Sequence, residues 1–150
     1  MIRVYAETSV YGGVFDEEFA ISSKKFFDIV NAGRFKIVTS YLLEEEIQYA
    51  PLKVGEFFMK VYPVAEFINV SREAIQLRNS YIKAGIVSPQ SMTDAMHVAL
   101  GSIANCSIIL SWNFKHIVNF SKIPLYNAVN KIEGYQEIAI HSPLEVIEND

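Results

Sequence analysis

The stretch SPQSMTDAMHVALGSIANCSIILSWN (88–113) joins a helix pattern to a strand pattern, and the rest of the chain is read outward from it. Ser88 is placed to cap a helix, with Pro89 at its first position, where a missing N–H costs nothing. Met92, Ala95, Met96, Ala99 and Ile103 then recur at helical spacing, which predicts a helix over 88–105. SIILS (107–111) is a short apolar run bounded by polar residues and reads as a buried strand. Between Lys83 and Lys115 the only formally charged side chain is Asp94. Its own helix face continues through Val98 and Gly101, where a solvated face would carry Lys or Glu. A carboxylate so placed needs a partner. The structural alternative is a capping box, Ser91-x-x-Asp94, or an acid favoured by the helix dipole.

The same alternation extends in both directions. Strands are predicted at 2–6, 35–40 and 66–70, and helices at 17–32, 41–49, 53–61 and 72–84. Gly33 stops the first helix, Pro51 the second, Pro63 the third, and Gly85 follows the fourth. A short helix is expected near 113–120. The tail, with YNAVNKIEGY and EIAIHSPLEVI, is read as an extra strand and a short terminal helix. Strands alternating with helices imply an α/β fold, with a mostly parallel sheet covered on both faces. Sites in such sheets form at the carboxyl ends of the strands.

Three further polar positions fall at or near that edge. VYAETS (4–9) is an apolar strand that ends in Glu7, a strand-end cap or a ligand. Thr8 and Ser9 beside it are read as helix caps or as hydroxyls that hold a water or a phosphate. In SYLLEEEI (40–47) the apolar stripe passes through Leu42, Leu43 and Ile47, and at about 100° per residue Glu46 falls inside it. Glu44 and Glu45 fall outside, as acids of a first turn. In SWNFKH (111–116), Asn113 follows a strand as a cap or a ligand, with His116 just beyond. His97, three residues after Asp94, is read as a supporting or structural residue. Acids and an amide with no clustered Cys or paired His suit a hard cation, Mg²⁺ or Mn²⁺, which would activate water at a phosphodiester.

Composition sets the bounds. With 150 residues, 51% hydrophobic and 20% charged, the chain is long and apolar enough for one globular domain, 1–150. No apolar run approaches the roughly 20 residues that cross a bilayer. The N-terminus lacks a signal-peptide pattern, so a cytoplasmic location without membrane is expected. Cys106 is the single cysteine and reads as a small buried residue. A net charge of −4 offers no bulk attraction to nucleic acid unless the acids gather cations.

Taken in order, VYAETS, TSYLLEEEI, TDAMHVALG and ILSWNFKHI resemble the four motifs of PIN-domain proteins, a family of metal-dependent ribonucleases and toxins of toxin–antitoxin modules. The resemblance covers most of the chain. It implies a three-layer α/β/α sandwich and a metal held by Glu7, Glu46, Asp94 and Asn113, which would form the catalytic set. It further implies a single-stranded RNA substrate, a small antitoxin partner and a homodimer. Three positions depart from the pattern. Glu7 stands where Asp is usual, as in a subgroup carrying ETS, and moves the carboxylate by up to about 1.5 Å, one C–C bond. Asn113 replaces an Asp, and His116 stands where a further acid is often found. Lys115, Lys122 and Arg72 are candidates for phosphate contacts. The alternative function is a catalytically weak PIN-like module that binds RNA or protein. A phosphotransfer domain fits less well, because no Asp ends a strand.

Overall fold

The structure, a computed structural model, describes residues 1–147. Its sheet is built from β1 (Ile2–Ala6), β2 (Phe35–Ser40), β3 (Glu66–Ile68), β4 (Ile108–Leu110) and β5 (Ala139–His141). The order is β3-β2-β1-β4-β5 and every pairing is parallel. β1 lies at the centre, with Val4 opposite Ile37 on one side and Ile108 on the other.

Apolar strands with no polar alternation form here because both faces are covered. Val4, Ala6, Ile37 and Leu110 face one core, and Tyr5, Val38, Ile109 and Ile140 the other. The first core is closed by α1 (Thr8–Gly13), α2 (Ala20–Asn31), α3 (Tyr41–Ile47) and α4 (Leu52–Val61), with residues Val146 and Ile147 after or within α8 (Pro143–Val146) packed against it. The second is closed by α5 (Arg72–Lys83), α6 (Met92–Ile103) and α7 (Ile123–Ile132). The result is an α/β/α sandwich.

Three expectations are corrected. Residues 113–120 form turns rather than a helix. The Asn113 side chain accepts from the N–H of Lys115 and His116, and Asn119 accepts from those of Ser121 and Lys122. These local bonds compete with helical ones, and the helix begins only at Ile123. YNAVNKIEGY therefore lies mostly in α7 rather than in a strand, whereas the extra strand and the terminal helix both come from EIAIHSPLEVI. The 88–105 helix begins late: Pro89–Ser91 is a 3₁₀ turn and α6 starts at Met92. α1, directly after Glu7, is not among the helices read from the sequence; Glu7 caps it, rather than Thr8 or Ser9.

α6 packs closely on β4. A Cβ added at Gly101 would lie 2.8 Å from Ile109 Cγ1 and 3.5 Å from Tyr5 Cβ, both side chains fully buried. Gly101→Ala should therefore lower stability by about 1–3 kcal/mol despite its better helix propensity. A denaturant midpoint at or above the wild type's would show that the contact relaxes freely. Cys106 is buried, and burial pushes its thiol up to about 11, in keeping with an inert core residue.

Candidate active site

Glu7 is the residue at which β1 becomes α1. Its N–H donates to the Leu110 carbonyl at 2.9 Å, tying the end of β1 to the end of β4. Its carboxylate caps α1, accepting the Ser9 N–H at 3.2 Å and the Ser9 hydroxyl at 2.7 Å, and takes the Ser111 hydroxyl at 2.6 Å. Ser9 in turn accepts the Trp112 N–H at 2.8 Å, and Ser111 accepts that of Asn113 at 2.9 Å. Glu7 thus caps a helix, as the first reading has it, and its carboxylate is buried at the strand edge.

Glu46 sits on α3, which Ser40 caps through the Leu43 N–H. Its Oε1 accepts the Thr8 hydroxyl at 2.6 Å and pairs with His97 Nε2 at 2.6 Å, while no described residue bonds Oε2. His97, on α6, is fully buried, and its Nδ1 lies 2.7 Å from the Tyr5 hydroxyl, itself 2.8 Å from Ser40 Oγ. A chain of contacts therefore runs Ser40–Tyr5–His97–Glu46–Thr8 through the sheet edge. Burial would raise the Glu46 carboxyl, but the bond and charge of His97, with the Thr8 hydroxyl, hold it below the usual carboxylate range. Burial opposes charge on His97, yet Glu46 above all, with Glu7 and Asp94, raises it.

A pH dependence follows. The raised His97 contributes stability in full below its ordinary value of 6.5 and loses it as pH rises through the folded value. The lowered Glu46 contributes above its ordinary value of 4.5 and loses it as pH falls through the folded value. The pair is therefore at full strength between those limits. In metal-free denaturation, the stability gap between wild type and His97→Gln should be wider at about pH 5.5 than at about pH 8.5. A gap that does not change with pH would show that the contact carries no charge.

Asp94 lies in the first turn of α6. Ser91 makes no side-chain cap there, so the capping-box reading fails. The Asp94 carboxyl is held above its usual range first by burial and then by the charge of Glu7, against the easing effect of His116, His97 and the Asn113 amide. A cation beside Asp94 would offset the cost that burial and the neighbouring Glu7 charge place on its carboxylate. His116 stands near Asp94, with Nε2 3.3 Å from Ser91 Oγ and Nδ1 buried without a partner.

The carboxyl edge thus carries Glu7, Glu46 and Asn113, with Asp94 within electrostatic reach of Glu7. Among the described residues no three His, Cys, Asp or Glu side chains close on one point as a metal cluster. Glu46 is turned toward His97, and Glu7 toward hydroxyls. The three acids nonetheless offer only oxygens, and an Asp94 carboxylate disfavoured by burial and by Glu7 fits a hard divalent cation. Of the three candidate phosphate contacts, Lys122 donates to the Ile86 carbonyl and helps to hold the fold, while Lys115 and Arg72 are exposed. Sequence reasoning missed Ser111 as a partner of Glu7. Its position at the end of a buried strand was the available signal.

No family profile matches the chain, and no curated protein matches its sequence. Solved structures do. VapBC2 from Rickettsia felis, bound to a DNA fragment from its promoter, matches with a TM-score of 0.61 at 12% identity, over 94% of this chain and 98% of that one. FitAcB from Neisseria gonorrhoeae matches with a TM-score of 0.61 at 10% identity, over 95% and 99%. A toxin–antitoxin complex from Klebsiella pneumoniae gives a TM-score of 0.59 at 12% identity, over 79% and 93%. The fold is that of a PIN domain. At these identities the likeness is one of fold. The PIN-like sheet explains why the polar positions share an edge: β1 and β4 are neighbours, so Glu7 and Ser111–Asn113 emerge side by side.

Two cavities lie near or on the PIN-like scaffold's polar side. One, of about 390 Å³, opens beside Ser9 and Asn113. The other, of about 560 Å³, lies between α3 and α4, with Leu52 and Met59 exposed at its wall, and holds none of the four candidate residues. Of the four candidate residues, Asn113 alone lines the first.

Proposed function

We propose that the protein is a metal-dependent endoribonuclease that hydrolyses phosphodiester bonds of single-stranded RNA, acting as the toxin of a toxin–antitoxin module. The observation that carries this reading is the half-buried Asp94 carboxyl, held above its usual range by burial and by the charge of Glu7, beside Asn113 at the carboxyl edge of a PIN fold. Glu7, Asp94 and Glu46 through its unbonded Oε2 would hold Mg²⁺ or Mn²⁺, with Asn113 orienting Asp94 rather than binding the ion directly. When bound, the ion supplies an activated water and stabilises charge on the phosphodiester. The chain's own part is orientation. Ser9 and Ser111 fix Glu7, while Thr8 and His97 fix Glu46. The Asn113 carbonyl oxygen accepts two backbone N–H groups, which leaves its amide free to face Asp94. Exposed Lys115 is placed to meet a backbone phosphate.

A protein partner of antitoxin type is supported by the complexes to which this fold is similar, and the exposed apolar cavity between α3 and α4 gives such a partner a surface. A homodimer and a cytoplasmic location complete the proposal. No helix among the described residues is long and apolar enough to cross a membrane. The second reading is a module that binds RNA or protein without cutting, and the engagement of Glu46 by His97 favours it.

A panel of mixed single-stranded RNAs, with Mn²⁺ and with EDTA, separates the two. The ribonuclease reading expects cutting that requires metal. It also expects Mn²⁺ at 100 times its dissociation constant to stabilise the fold by about 2.7 kcal/mol. Stabilisation without cutting favours the binding module, and a protein blind to metal would sink the metal site altogether.

A further inference from the structure

The cavity of about 390 Å³ is walled by Gly12, Asp16, Phe19 and Trp112, and meets the acid site at Ser9 and Asn113. Its volume falls within the range of small-ligand sites, about 300–1,000 Å³. We propose that it is a nucleobase subsite that seats a guanine of the RNA strand next to the bond being cut. The proposal rests on the ribonuclease reading and names the base that the site selects.

Three features carry it. The first is an aromatic wall: Phe19 and Trp112 stack with centroids 4.1 Å apart and planes at 17°. The indole is fixed because its N–H donates to Ser23 Oγ at 2.9 Å. Gly13 allows this approach, since a Cβ there would lie 2.8 Å from the indole nitrogen. A rigid aromatic wall beside a backbone-cutting site suits an unstacked base.

The second feature is Asp16. Its Oδ1 accepts the Glu18 N–H at 2.8 Å, which orients the carboxylate, and no described residue bonds Oδ2. An exposed carboxylate at the wall of an aromatic pocket selects for donors. Guanine presents two adjacent ones, its ring N1–H and its exocyclic amine. Uracil has one, flanked by two carbonyl oxygens that a carboxylate repels.

The third is continuity. Ser9 lines the cavity and also donates to Glu7, and Asn113 lines it and also faces Asp94. A base seated here has its own phosphate at the acids. Gly12 leaves the floor open, because a Cβ there would meet nothing within 4 Å.

Trp112 is the chain's single tryptophan and lines the pocket, so tryptophan emission comes from its wall. The experiment is a titration of the full chain in EDTA with guanosine 5′-monophosphate and with uridine 5′-monophosphate, corrected for nucleotide absorbance. Guanosine monophosphate should shift the emission saturably and bind at least about tenfold more tightly than the uridine nucleotide. Asp16→Asn should erase most of that preference. Gly12→Leu should block both nucleotides while melting no lower than wild type, since Leu is the better helix residue. Equal affinities, or wild-type binding by Gly12→Leu, would overturn the proposal. Because no metal is present, the subsite and the chemistry fail separately. Metal-dependent cutting with no preference for guanine refutes the subsite alone. Selective guanosine binding without cutting supports the subsite and refutes the ribonuclease reading.

Discussion

Asp94→Ala is expected to leave the protein folded and to lower Mn²⁺-dependent cleavage of single-stranded RNA by about 100-fold or more. Residues that merely support a metal ligand cost 10–100-fold when removed, so loss of a ligand should reach at least the upper end, about 2.7 kcal/mol of barrier. The fold should survive because, among the described residues, Asp94 forms no salt bridge and carries no helix cap. Its charge is in fact unwelcome in the metal-free protein. A carboxyl held above its usual range binds protons more readily folded than unfolded, so its contribution to stability falls as pH rises through the unfolded value. Asp94→Asn should therefore melt above wild type without metal at neutral pH and lose the rise that Mn²⁺ gives the wild type. Rates of cleavage and melting curves on the same samples decide it. A variant that cuts like wild type would remove Asp94 from the reaction, and one that unfolds would make it structural.

The second large effect is on stability. His97→Ala is expected to cost about 2–4 kcal/mol and to lower the melting temperature by about 10 °C. His97 is fully buried between the Tyr5 hydroxyl and Glu46, so truncation leaves a cavity and removes a partner from each. Glu46 then keeps only the Thr8 hydroxyl for a half-buried charge. The figure stays below that of a fully buried ion pair because the Glu46 side chain is 31% exposed and water can reach it. His97→Gln, which can still reach toward both neighbours, should recover part of the loss. Calorimetry or denaturant melts of the three proteins test this. A loss below about 1 kcal/mol would mean that the buried histidine merely fills space.

The parts of this molecule that could be read from sequence are those in which periodicity and burial agree. β1, β2, β4 and α5 are apolar runs or stripes with clear stops, and Gly33 does adopt the positive φ of 80° that a helix stop needs. Asp94 was conspicuous because nothing else charged lies near it in the chain, and α6 is indeed buried without a break from Ala95 to Ser102. Glu46 stood out as an acid within an apolar stripe. Its partner could not be read, because His97 reaches it across 51 residues of chain. The same holds for Ser111, which meets Glu7 across 104 residues. α1 was hidden by its two glycines, although the helix is capped by the very acid that drew attention to the strand. The segment 113–120 misled because Asn113 looks like a helix start, whereas it and Asn119 each close a single turn. Asp16 and Phe19 gave no pattern at all. They gain meaning from Trp112, more than ninety positions away.

The strand order has a consequence for synthesis. β1 is made first but occupies the middle of the sheet, and its second neighbour, β4, comes a hundred residues later. Until Leu110 arrives to accept the Glu7 N–H, one flank of β1 is bare and Glu7 lacks the Ser111 hydroxyl. A chain still emerging from the ribosome therefore has no finished edge to bring to an RNA. The wait lasts until the fourth strand is laid down, with most of the protein already translated. On the proposed function, a nuclease built in this order would be unarmed toward the message and the ribosome that are making it.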